Sequence, residues 1–245
     1  MKGLKRLSLI VMLSSMGVAG AAEPHWSYEG KAGPEHWSEL SSDFHLCHEG
    51  KAQSPINIKH PIQGNLQPLN LAYQASAEKV INNGHTIQVT VDNEDDFVLD
   101  GEKFTLRQYH FHTPGENQIN GHTFPLEAHF VHSKEGGDLA VVAVMFEVGK
   151  ENPALAPLID AMPNKENQQV SINREIDLRA LFPQDLHYYR FSGSLTTPPC
   201  SEGIRWLVMK QPVTLSQAQL DAFRQALKTT NNRPLQPLNG RMIVE

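Results

Sequence analysis

The tightest constraint on this chain is a pair of short segments in which histidine alternates with other residues at a period of two. They are Gln108-Tyr-His110-Phe-His112 and Glu127-Ala-His129-Phe-Val131. Side chains at i and i+2 share one face of a strand. Gln108, His110 and His112 therefore fall together, as do Glu127, His129 and Val131. Asn120-Gly121, a strong two-residue hairpin signal, lies between them. Pairing the two strands makes three imidazoles converge. Three neutral histidines suit catalytic zinc, which keeps a fourth position for water or substrate. Each ligand needs an acceptor on its other ring nitrogen, and Gln108 and Glu127 stand on the right faces to supply it. A lone His-X-His is more often incidental. A third histidine in register, with a carboxamide and a carboxylate beside the set, makes coincidence a poor account.

The surrounding sequence is built for strands. Segments 85–92, 104–112, 126–132 and 139–146 alternate apolar and polar residues or run apolar, with turn signals between them. Segments 188–191 and 204–210 read the same way. Helices are few. Asn152-Pro153 opens one to about Met162, with Pro at a tolerated first position. A second runs from Ser216 to about Lys228. Its start carries a Ser216/Gln219 capping box and a Leu215/Leu220 staple, and Leu220, Phe223 and Leu227 form its buried stripe. Residues 25–60 read as an irregular arm. The expected fold class is mainly β (α+β): a single domain over 23–245, around a twisted, largely antiparallel central sheet with a few short peripheral helices.

The first 22 residues read as an address. Lys2, Lys5 and Arg6 precede a short apolar run over 7–18, and Ala19-Gly20-Ala21-Ala22 follows. That is the layout of a secretory signal peptide, with cleavage near 21/22 and a periplasmic destination; a membrane anchor is the weaker reading. Removal takes the formal charge from −6 to −9, leaving 18 basic against 27 acidic residues. Such a balance gives no reason to expect nucleic acid. No later stretch is long and apolar enough to span a bilayer, so no stable membrane insertion is expected after cleavage. In an oxidising compartment, Cys47 and Cys200 suggest one bridge over about 150 residues, two free buried thiols being the other reading.

Other histidines carry less. His132 faces away from His129 by alternation and reads as structural. His45, Cys47 and His48 look like a second metal cluster, but Cys47 is better used in a bridge. His25, His36, His60, His122 and His187 have no partners legible in sequence. His110-X-His112 followed by Glu116 also resembles the first metal motif of cupins. However, Phe104 stands where a cupin needs glycine, and no second motif follows.

In Trp26-Ser-Tyr28, Gln53-Ser-Pro-Ile-Asn57, Asn82-Asn-Gly-His85, the two histidine segments with Glu116, Gly193-Ser-Leu-Thr-Thr-Pro-Pro-Cys200 and Asn231-Asn-Arg-Pro-Leu-Gln236, the chain resembles the alpha class of carbonic anhydrases, most of all the bacterial periplasmic members. The resemblance runs through nearly all of the chain beyond residue 22. It implies reversible hydration of CO2 to bicarbonate by attack of a zinc-held hydroxide, with zinc on His110, His112 and His129. It implies that Gln108 and Glu127 accept hydrogen bonds from His110 and His129, and a solvent-network role for Tyr28. Thr196 matches a gatekeeper hydroxyl that accepts a hydrogen bond from the zinc-held hydroxide while donating its own to the Glu116 carboxylate, and Thr197 a further polar contact. Val131, Val141, Leu195 and Trp206 match an apolar wall for CO2, and His85 a proton shuttle. Cys47 and Cys200 match the bridge of exported members. Ser54-Pro55 and Pro198-Pro199 match cis bonds, and a homodimer is the expectation for bacterial relatives. Two departures from animal members stand out: the short Thr113-Pro114-Gly115 loop before Glu116, and Asn232 where a Trp is common. A non-catalytic binding module on the same fold is the competing reading. Relatives of that kind typically lack a zinc histidine, and here all three are present.

Overall fold

Apolar alternation builds the strands, and one irregularity decides what the central strand presents on each face. In the computed structural model, which describes residues 24–245 apart from 72, 74–76, 92–95, 164 and 173–175, thirteen strands are defined. They are β1 (Asn57–Ile58), β2 (Ala77–Asn82), β3 (Ile87–Val91), β4 (Asp96–Leu99), β5 (Glu102–His112), β6 (Gln118–Ile119), β7 (His122–Thr123), β8 (Leu126–Ser133), β9 (Leu139–Val148), β10 (Gln168–Ser171), β11 (Tyr188–Ser194), β12 (Glu202–Met209) and β13 (Val213–Leu215). The expected signal segment, 1–22, lies outside the described residues.

The large sheet has the order β10-β2-β3-β5-β8-β9-β12-β11, with β4 on β5 and β13 on β9. Its pairings are antiparallel except β9 with β12 and β9 with β13, which are parallel. The largely antiparallel expectation therefore holds for most of the sheet, and the whole is mixed. The parallel pairs join strands far apart in sequence, which local hairpin signals do not reveal. β9 is buried from Ala140 to Phe146. Such a central strand, covered on both faces, reads as a continuous apolar run.

Along β5, Leu106 pairs with His132 and Gln108 with Val131, so Arg107 is an extra residue. This bulge shifts the alternation by one position. Phe104 and Leu106 thus join Tyr109 and Phe111 in the core on one side of the sheet, while Gln108, His110 and His112 keep the other. Without it, the first half of β5 would point its apolar residues into the site.

Asn120-Gly121 is a tight turn with positive φ at both residues (53° and 83°). It joins β6 to β7 in a small separate sheet with β1, and does not itself connect β5 to β8. The sequence reading placed the right turn on the wrong pair of strands.

Among the described residues, four short α-helices lie around the sheet: α1 (Trp37–Leu40), α2 (Leu46–Glu49), α3 (Ala156–Asp160) and α4 (Gln217–Leu227). The first two sit in the arm read as irregular. The helix expected from Asn152 is a 3-10 turn, Pro153–Leu155, followed by α3; the Asn152 side chain caps it by accepting from Ala154 N–H. The Ser216/Gln219 capping box of α4 is present on both sides. Leu220 and Phe223 of α4 pack into the core with Leu215, and Leu227 packs at its margin. Prolines 55 and 199 follow cis bonds as expected, and Thr113-Pro114 is cis as well. Among the described residues, no helix is long and apolar enough to cross a membrane.

Candidate active site

Strand register alone assembles the site. Directly paired residues share a face of a sheet. β5 and β8 pair His110 with His129, His112 with Glu127 and Gln108 with Val131. The next pairings carry that last row onward, from Val131 to Val141 on β9 and from Val141 to Trp206 on β12. A row of imidazoles therefore lies beside a row of apolar side chains.

One nitrogen of each imidazole is engaged. His110 Nδ1 meets Gln108 Oε1 at 2.9 Å, His112 Nδ1 meets the Asn231 carbonyl at 2.7 Å, and His129 Nε2 meets Glu127 Oε1 at 2.8 Å. All three partners are acceptors, so each of these nitrogens carries the proton and the other keeps its lone pair. The free atoms are His110 Nε2, His112 Nε2 and His129 Nδ1. One ligand-capable atom from each ring lies within 4.8 Å of the others. Burial lowers the pKa of all three rings, and repulsion between them adds to this for His110 and His129. They are neutral at pH 7, as ligands must be. His112 Nε2 is buried without a hydrogen-bond partner. An orphaned lone pair aimed at two others is what a metal site requires, and three nitrogens with open space beside them fit a catalytic metal.

Glu127 is held from every side. Oε2 accepts from the N–H groups of Glu116 and Asn117, and Oε1 accepts from Asn117 Nδ2 and His129. Glu116 then turns back over the imidazoles. Its Oε1 accepts from Arg233 N–H at 2.9 Å, and its Oε2 stands 3.5 Å from His112 Nε2 and 3.9 Å from His129 Nδ1. Burial pushes its carboxyl up to about 8, against the opposing pull of the Arg233 N–H. The Thr196 side chain lies close enough to favour the charged carboxylate, although Glu116 Oε2 makes no hydrogen bond of normal geometry. The short loop before Glu116 depends on Gly115. A Cβ there would stand 3.2 Å from both Glu127 Cβ and the Phe124 carbonyl.

Thr196 and Thr197 occupy the turn between β11 and β12, where Cys200 N–H bonds the Thr197 carbonyl. Cys200 is disulfide-bonded to Cys47, so no second metal cluster forms with His45 and His48. Val141 and Trp206 are buried in the core on this side of the sheet, with Val131 and Leu195 packed against it. The Trp206 ring stands 4.9 Å from that of His129.

An inner cavity of about 160 Å³ is lined by Tyr28, His85, Gln88, Gln108, His110, His112 and Thr197, among others. His85 also lines an adjoining cavity of about 400 Å³, with His25 and Glu166. Its ring stacks on Trp26 at 3.8 Å. Burial and the neighbouring His25 lower its pKa, while Glu166 raises it. Tyr28 stays a neutral phenol, its pKa raised by burial and by Glu116. His132 faces the opposite core and meets the Tyr73 hydroxyl at 2.7 Å. His36, His122 and His187 find carboxylate partners in Glu39, Glu147 and Asp185.

Sequence reasoning missed Asn231, Arg233, Gln53, Asn117, Gln88 and Trp26 as parts of this site. Asn231 contributes a backbone carbonyl to His112, and its Oδ1 accepts from Thr113 N–H. A carbonyl has no residue-specific signal. The motif around Asn231 and Arg233 was visible, but its place under the site was not.

A family description, eukaryotic-type carbonic anhydrase, matches residues 32–245. A carbonic anhydrase of Pectobacterium carotovorum is 51% identical over 245 residues, covering all of both chains. The alpha-carbonic anhydrase of Thermovibrio ammonificans, solved with the inhibitor sulfanilamide, superposes with a TM-score of 0.89 at 46% identity, covering 91% of this chain and 100% of its own. The Photobacterium profundum alpha-carbonic anhydrase gives 0.86 at 47% identity, covering 90% and 100%.

Proposed function

The chain belongs to the eukaryotic-type, or alpha, family of carbonic anhydrases, which are lyases, and we propose that it catalyses reversible hydration of CO2 to bicarbonate and a proton with zinc as its metal. The observation that carries this reading is the convergence of three neutral imidazoles, each with its outer nitrogen tied to an acceptor, beside an apolar wall. His110, His112 and His129 would hold the metal. When bound there, zinc supplies a Lewis acid that brings the pKa of water to about 7, the value established for carbonic anhydrase itself.

The chain's own residues do the rest. Val131, Val141, Leu195 and Trp206 offer CO2 a surface without hydrogen-bonding groups, which excludes ordered water from the place where the carbon must sit. Thr196 orients the attacking oxygen by accepting its proton, provided its own proton points to Glu116 as a carboxylate, the form that a cation held by the three imidazoles beside it would favour. Thr197 and Tyr28 bind the polar end of the cavity. His85 carries the proton away from the imidazoles; its lining of both the cavity beside them and the adjoining one supports this role. Such a carrier is needed. A water with a pKa of about 7 loses its proton directly to solvent no faster than ~10³ s⁻¹, given recombination near ~10¹⁰ M⁻¹s⁻¹. Turnover near ~10⁶ s⁻¹, the figure established for carbonic anhydrase itself, exceeds that limit.

Export to the periplasm through a cleaved signal segment is part of the same reading, and the Cys47–Cys200 bridge supports an oxidising compartment. The test is Thr196→Ala. It should keep one zinc per chain and lose about 10²-fold in kcat/KM for CO2, the scale of removing one oriented hydrogen bond from a catalytic site. A zinc-loaded variant with normal kcat/KM would sink the assignment.

A further inference from the structure

Beneath Glu116 lies a buried guanidinium that the proposed chemistry does not use. Arg233 is 2% exposed and sits over the Trp37 ring at 5.6 Å. Its Nη1 donates to Gln53 Oε1 and the Ser54 carbonyl, each at 2.8 Å, and its Nη2 donates to the Cys47 carbonyl at 2.9 Å. Gln53 is also buried, and its Nε2 donates to the Cys200 carbonyl at 3.0 Å and to Glu202 Oε1 at 2.9 Å. These bonds close a ring: Cys47 carbonyl, Arg233, Gln53, Cys200 carbonyl, and back through the disulfide.

Both members of the Thr196/Glu116 pair hang from this ring. Arg233 N–H holds Glu116 Oε1. On the other side, Cys200 N–H holds the Thr197 carbonyl, next to Thr196, in a turn where Cys200 itself takes a φ of 58°. A charged, buried guanidinium held by three hydrogen bonds resists displacement, because moving it leaves buried donors unpaired. Catalytic groups need placement to within about 0.5 Å, and a misplacement of about 1 Å costs of the order of 10²-fold in rate.

We propose that Arg233 and Gln53 are positioning residues that clamp Glu116 against Thr196 through this ring. The proposal rests on the reading of Thr196 and Glu116 given above. Neither residue touches substrate. Arg241 provides the matched control. Its Nη2 donates to the backbone carbonyl of Gln53 at 2.7 Å, so it braces the same loop without entering the ring.

The test compares Gln53→Met, Arg233→Lys and Arg241→Met in the full zinc-loaded chain, alone and in a Thr196→Ala background. Gln53→Met and Arg233→Lys should lower kcat/KM for CO2 about tenfold, with zinc content unchanged and kcat less affected. Arg241→Met should lose stability and keep kcat/KM. In the Thr196→Ala background the ring variants should add no further loss, because groups acting as a unit are not additive. A second readout needs no activity. In metal-free protein, the Arg233 amide should exchange its hydrogen at least tenfold faster in Gln53→Met than in Arg241→Met, once each rate is referred to that of core-strand amides in the same variant. Should Arg233→Lys fail to fold, Gln53→Met keeps Arg233 in place and decides the matter alone. Ring variants with native kcat/KM, or losses that add fully to that of Thr196→Ala, overturn the clamp. Native kcat/KM in Thr196→Ala alone overturns instead the reading on which it stands.

Discussion

Glu127→Gln changes one atom and should disable one metal ligand. Glu127 Oε2 accepts from two backbone N–H groups, at 2.6 Å and 2.8 Å, and these cannot turn away. The oxygen of a Gln side chain must therefore take the Oε2 position, which leaves its NH2 where Oε1 was. There it faces His129 Nε2, 2.8 Å away, and Asn117 Nδ2, 2.7 Å away, both donors in the native site. Asn117 is not free to flip, because its Oδ1 accepts from Ile56 N–H. His129 escapes the donor–donor clash only by moving its proton from Nε2 to Nδ1. Nδ1 is the atom that faces the other imidazoles, and once protonated it has no lone pair for a metal. Losing such a supporting partner typically costs 10–100-fold in metal affinity, or about 1.4–2.7 kcal/mol. Zinc affinity measured by competition with a chelator at pH 7.5 should fall by that factor, while thermal unfolding of the zinc-free protein reports any general damage. Zinc binding within about twofold of wild type would refute the tautomer argument.

His85→Ala should bring turnover down towards ~10³ s⁻¹ with kcat/KM nearly intact, and added imidazole buffer should restore it; unchanged turnover in weak buffer would remove the shuttle role. Replacing Cys47 and Cys200 together by Ser opens a loop of 153 residues and should cost up to about 5 kcal/mol in denaturant unfolding, an undiminished midpoint being the contrary result. His132 should make the fold acid-sensitive, since burial pushes its pKa down to about 3. The unfolded chain takes up a proton below about 6.5 that the folded chain refuses. Stability is therefore intact above 6.5 and falls with pH down to about 3. Between pH 7 and 4.5 this amounts to about 2.5 kcal/mol at most of the fall seen in wild type, and His132→Gln should lack it; an identical pH dependence in the two proteins contradicts the assignment.

The imidazole set was legible because a strand's period of two is strict. Gln108, His110, His112, Glu127 and His129 needed only correct pairing, and the register supplies it. What stayed hidden was of two kinds. The bulge at Arg107 and the parallel pairing of β9 with β12 are non-local, and no turn residue announces them. The Asn231 carbonyl and the Arg233 amide act through backbone atoms that every residue shares. Asn120-Gly121 shows the converse case: its turn chemistry was read correctly, but a turn signal does not say which strands it serves. The roles of His85 and Thr196 came from family resemblance alone.

The most direct test of the central claim is stopped-flow CO2 hydration by the protein lacking residues 1–22, before zinc removal, after it and after zinc is restored. Fast hydration that disappears with zinc and returns with it is the predicted result. A folded, zinc-loaded protein that hydrates CO2 no faster than buffer alone would contradict the account.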